Sequence, residues 1–342
     1  MKRENNHGEG GHVCPSSLQR KHNRECTLRK RRKKRHRRNQ SRRRVWEWKC
    51  LTLQILLAVI FVFSVAGLLG YGIFYLCQNE SSRNTQKELQ DIRGESNTST
   101  QYAMKYDENG LPVAGIAAFL ADIYKDFPTE KECNKAPGIL PKYKELYEVN
   151  PDLIGWLSID GTSIDYPVMQ TMEDECYYLR LDYYGEPNQN GSLILDTDSS
   201  AGTGTKDCDY ANGTAPSTNL IIHGHTMKSG EMFGNLKLYA DEEYGREHNI
   251  IYFDSLYEER EYELIAVFYS QVYYESDDVF KYYKFFQADT HEEFDDWYEN
   301  IKAMSLYDTG VLAHFGDEFI TLSCCSYHVE DGRFVVVFKR LG

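Results

Sequence analysis

The feature that most constrains this chain is an apolar run near its N-terminus, "LTLQILLAVIFVFSVAGLLGYGIFYLC", at residues 51–77. None of its 27 residues carries a charged side chain, and as a helix rising about 1.5 Å per residue it reaches roughly 40 Å. A hydrocarbon core is ~30 Å thick, so the run can cross it with some tilt. A cleaved signal peptide is the alternative, but the run is too long and lies too far from Met1. We therefore predict one transmembrane helix.

Charge is distributed very unevenly on the two sides of this run. Residues 1–49 contain 18 Lys/Arg and 4 Asp/Glu, whereas the rest of the chain contains 21 Lys/Arg and 48 Asp/Glu. The overall net charge of −13 therefore averages two unlike segments. Because basic flanks of membrane spans stay in the cytoplasm, residues 1–50 are predicted to be a cytoplasmic tail, and the acidic bulk is predicted to lie outside.

The basic stretch at residues 29–44, "RKRRKKRHRRNQSRRR", is also typical of nucleic-acid or nuclear-targeting segments. Next to a membrane span it is explained more simply as a topology signal that also contacts anionic lipid headgroups. Trp46 and Trp48 follow it and are typical of a membrane-interface belt. We therefore predict membrane lipid, and no nucleic acid, as a partner of this tail.

Residues 78–115 are polar and poor in large apolar side chains, which predicts a flexible extracellular stalk. The predicted globular domain, residues 116–342, begins with apolar residues at helical spacing in "IAAFLADIYKDF", residues 116–127. A second short helix, "PKYKELYEV", is predicted to end at Asn150, because the next residue is a proline.

The remainder of the chain is predicted to be mainly β. Eight short runs are rich in β-branched and aromatic residues and separated by turn residues. They read "IGWLSI", "DYPVMQ", "GSLILD", "NLIIHG", "IIYFDS", "YELIAVFYSQVYY", "EFITLSC" and "RFVVVFKRL". Eight such runs indicate a closed barrel. Thr290 and Glu293 form a capping-box pattern that predicts one helix before the last two strands. Residues 199–218 are predicted to form a long surface loop.

The cysteines predicted to lie outside the membrane are five, an odd number: Cys133, Cys176, Cys208, Cys324 and Cys325. At least one of them cannot pair within the chain, and their spacing matches no disulfide-rich scaffold or zinc signature. Any pairing among Cys133, Cys176 and Cys208 stays open. The sequence also predicts no metal or cofactor, since His223 and His225 lack acidic or cysteine companions at ligand spacing.

Alternation along the strand distinguishes the two adjacent cysteines of "FITLSCC". Cys324 shares a face with Ile320 and Leu322, which predicts a small buried side chain. Cys325 shares the other face with hydroxyl residues at the end of the strand. Cys325 is therefore the predicted nucleophile, and Ser323 on the same face is a predicted substrate contact.

Arg333 opens the next strand after the turn "VEDG". If the two strands pair as a hairpin, Arg333 lies within reach of Cys325 and can hold an oxyanion or the substrate backbone. Alternatively, Arg333 is a solvating charge at the strand edge or pairs with Asp331 or Glu330.

Four histidines are candidates for the base that such a thiol needs. His225 follows "NLIIHG" at the point where a buried strand becomes a loop, a common place for catalytic side chains. His223 lies inside the strand and is more typical of a structural residue. His328 would have to fold back onto Cys325, and His314 lies in an ordinary loop.

These residues resemble the sortases, the membrane-anchored cysteine transpeptidases of Gram-positive surfaces. "TLSCC" resembles their TLxTC signature, with Cys324 where threonine is usual, and "HGHTMKSGEMFGNLKLY" resembles their histidine segment. Residues 150–170 and 177–196 also match, so the resemblance covers most of residues 140–342. The N-terminal helices and the helical insertion at residues 290–304 resemble class B in particular. Pilin-polymerising sortases are the nearest rival, but they usually carry a second, C-terminal span, and this chain stops at Gly342.

The resemblance implies an eight-stranded sortase-type β-barrel and a catalytic set of His225 as general acid/base, Cys325 as nucleophile and Arg333 as oxyanion or substrate stabiliser. It implies cleavage of a C-terminal sorting motif in secreted proteins through a thioester, and transfer to a peptidoglycan cross-bridge amine without a cofactor. A non-catalytic wall- or ligand-binding barrel and a hydrolytic surface cysteine protease are the alternatives. The expected location is the cell membrane, with the N-terminus cytoplasmic and the catalytic domain extracellular.

Overall fold

The structure, a computed structural model, describes residues 16–98 and 133–342. The chain divides into two compact units, Met1–Tyr75 and Leu76–Gly342. The helix predicted at residues 116–127 lies outside the described residues, as do residues 99–115 of the predicted stalk. The second unit contains all of the described β-strands.

The described part of the first unit belongs to one long helix, α1 (Ser16–Thr98). Its apolar side chains between residues 51 and 75 are exposed, and Phe63 and Leu68 each expose 73% of their surface. Exposed apolar surface of this extent favours an apolar environment. The helix is long and apolar enough to cross a membrane, which is consistent with the predicted span.

Residues 78–98 form the last part of α1 and are not the flexible stalk that the sequence predicts. Leu89 is 1% exposed and lies in an apolar cluster with Trp156. Arg93 forms a 3.0 Å ion pair with Asp165, and its guanidinium lies 4.4 Å from the centre of a Trp156 ring. The stalk prediction rested on the scarcity of large apolar residues. It is wrong here because one buried leucine and several polar contacts hold the helix.

The eight predicted runs are all strands in the structure. They are β1 (Leu153–Ser158), β2 (Asp165–Met169), β3 (Leu193–Leu195), β4 (Asn219–Gly224), β5 (Ile250–Ser255), β6 (Glu261–Gln271), β7 (Phe319–Cys325) and β8 (Gly332–Arg340). They form one closed barrel in the order β1-β2-β3-β4-β7-β8-β6-β5. The predicted mainly β fold with an eight-stranded barrel is confirmed.

Three further α-helices are described in this unit: α2 (Pro141–Val149), α3 (Glu242–Glu247) and α4 (His291–Met304). Helix α2 ends just before Asn150, as predicted from the proline that follows. Helix α4 begins with the predicted capping box, in which Thr290 and Glu293 each bond the other's backbone N–H. It lies between β6 and β7, before the last two strands, as predicted.

Strands β4 and β7 are parallel neighbours although their paired residues are 100 positions apart in the chain. Their register runs from Asn219 opposite Phe319 to Gly224 opposite Cys324. Parallel strands end at the same edge of a sheet, so the residues after Gly224 and Cys324 meet at one end of the barrel. On its other side β7 pairs with β8 in an antiparallel hairpin.

The predicted alternation along β7 is present. Three of its side chains lie in the cluster that fills the barrel interior: Ile320, Leu322 and Cys324. Phe319 points outward and packs against Trp297 of α4, with ring centroids 4.8 Å apart. Because α4 covers the outer face of the strand, Cys325 at its end is the first exposed side chain of β7.

The cysteine pairing that the sequence leaves open is a disulfide between Cys133 and Cys208. It joins the start of the second described range to the long loop at residues 199–218. Tyr210 in this loop accepts a 2.9 Å hydrogen bond from Arg340 of β8. Cys176 is exposed and free. The loop is therefore attached to the barrel at two points.

Candidate active site

His225 and Cys325 lie side by side at the shared end of β4 and β7. Gly224 and Cys324 are the last paired residues of the two parallel strands, and His225 and Cys325 follow them directly. The hydroxyl of Thr226 donates a 2.6 Å hydrogen bond to the backbone carbonyl of Cys325. This bond continues the contact between the two chain segments beyond the strands and holds the histidine loop beside the cysteine.

Arg333 lies on the other side of Cys325. The antiparallel register of β7 and β8 places the two residues directly opposite each other, so the hairpin assumed from the sequence is present. Arg333 Nη1 donates to the backbone carbonyls of Asp331 at 3.3 Å and Gly332 at 3.1 Å. These bonds anchor the guanidinium at the turn beside the thiol.

The two adjacent cysteines differ in how far they are buried. Cys324 is 3% exposed and packs in the barrel interior, and this burial raises the pKa of its thiol to about 11. A thiol with such a pKa stays protonated at neutral pH, and the thiolate is the nucleophilic form of cysteine. Cys325 is exposed. Of the two thiols, only that of Cys325 can meet a peptide.

The imidazole of His225 is oriented by a backbone carbonyl. Its Nε2 lies 2.8 Å from the carbonyl oxygen of Leu179, which can only accept, so Nε2 carries a proton and donates it to this bond. Nδ1 is therefore the nitrogen that can exchange a proton. Burial lowers the pKa of His225, and the charge of Arg180 lowers it further, while the bond to Leu179 opposes both effects.

A lowered pKa keeps the imidazole neutral at neutral pH, the form that can accept a proton. Replacing Arg180 with Gln should raise the pKa of His225 toward its ordinary value of about 6.5, because the variant removes one positive charge. Below that value the variant will carry more imidazolium than the wild type at the same pH. NMR titration of isotopically labelled histidine in a Cys325→Ala background measures the change. Arg246→Gln, on α3, is the control, and equal titrations of both variants would contradict the expected effect.

Comparison with curated proteins gives the family. The chain is 32% identical to sortase B of Listeria monocytogenes over 199 residues, which cover 57% of this chain and 72% of that protein. The chain belongs to the sortase B family. Sortase B of Staphylococcus aureus is 26% identical over 206 residues, which cover 59% of this chain and 75% of the relative. No family model matches the chain.

Solved structures agree with this assignment. The crystal structure of sortase B from Bacillus anthracis in complex with AAEK1 has a TM-score of 0.50 and 31% identity, covering 66% of this chain and 93% of the other. A Staphylococcus aureus sortase B–substrate complex has the same TM-score at 23% identity, covering 66% and 90%, and supports the fold alone. The chain is thus a class B sortase, an enzyme of the cysteine transpeptidase type.

The other three histidines of this sortase are placed differently from His225. His223 Nε2 lies 3.0 Å from Asp196 Oδ2, in accord with the prediction of a structural residue. His328 Nδ1 lies 2.9 Å from Ser326 Oγ within the β7–β8 turn. His314 is exposed in the loop before β7. Of the four, His225 is the one next to Cys325 at the shared strand end.

Ser323, the predicted substrate contact, is 1% exposed. Its Oγ lies 2.7 Å from the hydroxyl of Tyr282, and this hydrogen bond is buried in the layer between the barrel and α4. Strand parity places Ser323 on the same face as Cys325, but α4 and its flanking turn cover that face. Ser323 therefore packs between the barrel and α4, where a peptide cannot reach it.

Two groups at the sortase site escape prediction from sequence. The carbonyl of Leu179 orients His225, and a backbone carbonyl has no residue signature. Thr226 bonds the Cys325 carbonyl, which lies 99 positions away in the chain, so no local pattern predicts the contact.

Proposed function

We propose that this sortase cleaves a C-terminal sorting motif of secreted proteins through a thioester on Cys325 and transfers the product to an amine of the peptidoglycan cross-bridge. The observation that carries the proposal is the placement of Cys325 and His225 side by side at the ends of two parallel strands, with Arg333 directly opposite the cysteine. The 32% identity to sortase B of Listeria monocytogenes supports a reaction of the sortase type.

The first half-reaction forms a thioester. Neutral His225 accepts the proton of the Cys325 thiol, the resulting thiolate attacks a backbone carbonyl carbon of the motif, and the carbonyl electrons move onto oxygen. Arg333 stabilises this oxyanion, because a preorganised cation in a partly desolvated site favours charge that develops in the transition state. When the intermediate collapses, the C–N bond breaks, and the protonated imidazole of His225 gives its proton to the leaving amine.

In the second half-reaction the amine is the attacking group and the Cys325 thiolate is the leaving group. An amine attacks the thioester carbon, neutral His225 accepts the proton that the amine loses, and the C–S bond breaks to release the Cys325 thiolate, which takes this proton back from the imidazole. One amide bond is broken and one is formed, so no oxidant, reductant or cofactor enters the balance.

A mass experiment tests this proposal. The full chain in detergent micelles is incubated with a panel of sorting-motif peptides, with and without an amine acceptor, and analysed by intact mass and peptide mapping. We expect an acyl adduct on the peptide that contains Cys325, which disappears when the amine is added and yields the amide product. Release of free acid in the presence of the amine would indicate a hydrolase, and an adduct on Cys324 would overturn the assignment.

The role of Arg333 gives a graded prediction. Arg333→Gln should lower kcat by about 10²–10³-fold with a smaller change in KM, because oxyanion stabilisation acts mainly in the transition state. Arg333→Lys should recover only part of the loss, since lysine retains the charge without the planar fork. Steady-state kinetics with a fluorogenic motif peptide measures both variants, and Arg246→Gln on α3 is the charge-matched control. A loss confined to KM would instead assign Arg333 to ground-state binding.

We further propose that residues 1–50 lie in the cytoplasm and the barrel outside. The basic tail supports this orientation, and so does the Cys133–Cys208 disulfide, because such bonds persist in oxidising compartments. A membrane-impermeant maleimide applied to intact cells should label the exposed thiol of Cys176 and leave Cys26 unlabelled until the cells are permeabilised. Labelling of Cys26 in intact cells would contradict this topology.

A further inference from the structure

A second cluster of chemically active side chains lies outside the catalytic set. It consists of Glu175, Asp196 and His223, whose ligand-type atoms all lie within 4.8 Å of one another. Asp196 directly follows β3, His223 lies in the neighbouring strand β4, and Glu175 comes from the loop between β2 and β3. The acidic companions that His223 lacks in its local sequence are thus supplied from 27 and 48 positions earlier in the chain.

The atoms of this cluster converge on one side of the imidazole. His223 Nε2 lies 3.0 Å from Asp196 Oδ2 and 3.9 Å from Glu175 Oε1. Asp196 is 8% exposed, and its other oxygen, Oδ1, accepts a 3.0 Å hydrogen bond from the backbone N–H of Asp198. That bond fixes the carboxylate with Oδ2 directed to His223, the kind of outer contact that orients metal ligands.

The charge balance of the cluster also favours a cation. Two carboxylates and one imidazole give a net charge of −2 when the ring is neutral. The carboxylates of Glu175 and Asp196 lie close enough for their charges to repel each other, because the ligand-type atoms of the cluster all fall within 4.8 Å of one another. A bound cation would relieve this repulsion.

We propose that Glu175, Asp196 and His223 bind a divalent transition-metal cation of the zinc type. One imidazole nitrogen and two carboxylate oxygens form a donor set suited to such ions, with a fourth position left for water. Calcium and magnesium prefer oxygen ligands throughout, so the imidazole selects against them.

A cation bound at this cluster would help to fix the orientation of His225. Glu175 lies four residues before Leu179, whose carbonyl orients His225, and His223 lies two residues before His225 in the chain. A cation bound by both Glu175 and His223 would link the segment that carries the Leu179 carbonyl to strand β4. His225, which donates to that carbonyl, directly follows β4. The three ligands therefore act as positioning residues for His225.

A binding experiment tests the proposal. The full chain carrying Cys325→Ala, which removes the reactive thiol, is stripped with a chelator in detergent micelles and titrated with Zn²⁺ by isothermal calorimetry. We expect one zinc site per chain, and Co²⁺ should give visible absorption bands of a low-coordination site. Glu175→Gln, an exposed position where misfolding is not expected, should weaken zinc binding by at least about tenfold, and His223→Gln should do the same.

The matched control is Glu173→Gln, which removes an exposed carboxylate two residues from Glu175 and should leave the affinity unchanged. Cys176→Ser tests the adjacent free thiol. The proposal is overturned if zinc binds equally to Glu175→Gln and Glu173→Gln, if binding depends on Cys176 alone, or if Ca²⁺ binds as tightly as Zn²⁺. Absence of any zinc heat would also overturn it and would leave the trio as an ion-pair cluster.

Discussion

Cys325→Ala is expected to abolish the thioester and to lower transpeptidation by at least about 10⁴-fold, because covalent catalysis has no remaining nucleophile. The adjacent thiol cannot substitute for it. Cys324 points into the barrel interior with its pKa raised to about 11 by burial, so neither its direction nor its protonation state allows attack. Amide product formed from a fluorogenic motif peptide and an amine measures the loss.

The matched control is Cys324→Ala. It removes a buried sulfur, for which we expect a destabilisation of about 1 kcal/mol, and activity should stay within about tenfold of the wild type at a temperature where both proteins are folded. Loss of the acyl adduct in Cys324→Ala together with its retention in Cys325→Ala would reverse the assignment.

His225→Gln has the second largest expected effect, a fall in kcat of about 10³-fold or more. Glutamine can still donate a hydrogen bond to the Leu179 carbonyl, so the loop geometry is retained while proton transfer is lost. Pre-steady-state mixing with peptide alone, and then with amine, separates the two half-reactions. Both should slow, because the imidazole protonates the leaving amine in the first and deprotonates the attacking amine in the second.

His328→Gln is the control, since His328 is the histidine nearest to Cys325 in sequence and bonds Ser326 within the turn. It should change kcat by less than about tenfold. The double variant His225→Gln/Cys325→Ala should be no slower than Cys325→Ala alone, because residues that act as one unit have non-additive effects. Additive losses would indicate that the two side chains act independently.

Most of the barrel could be predicted because strand signals are local. The eight runs have β-branched and aromatic composition with turn residues between them, and the capping box of α4 is a pattern of two residues. The choice between Cys324 and Cys325 was also available, since it depends only on alternation and on the apolar neighbours of Cys324. These features need no knowledge of which strands pair.

The remaining features depend on contacts between distant segments. The helical character of residues 78–98 depends on Leu89 and on Arg93 reaching Asp165 and Trp156, which composition does not reveal. The burial of Ser323 depends on Tyr282, which lies 41 positions earlier in the chain. The Cys133–Cys208 bond and the carboxylates near His223 are likewise products of topology, because their members are remote in sequence.

The parallel pairing of β4 with β7 has a consequence for folding kinetics. The hairpin of β7 and β8 lies between β4 and β6 in the barrel, so the barrel cannot close until the C-terminal segment has been made. Pairings of such high contact order form late, because the entropy of closing a long loop opposes them. His225 and Cys325 therefore come together only late in folding, and a chain whose synthesis stops before β7 lacks one side of the candidate site.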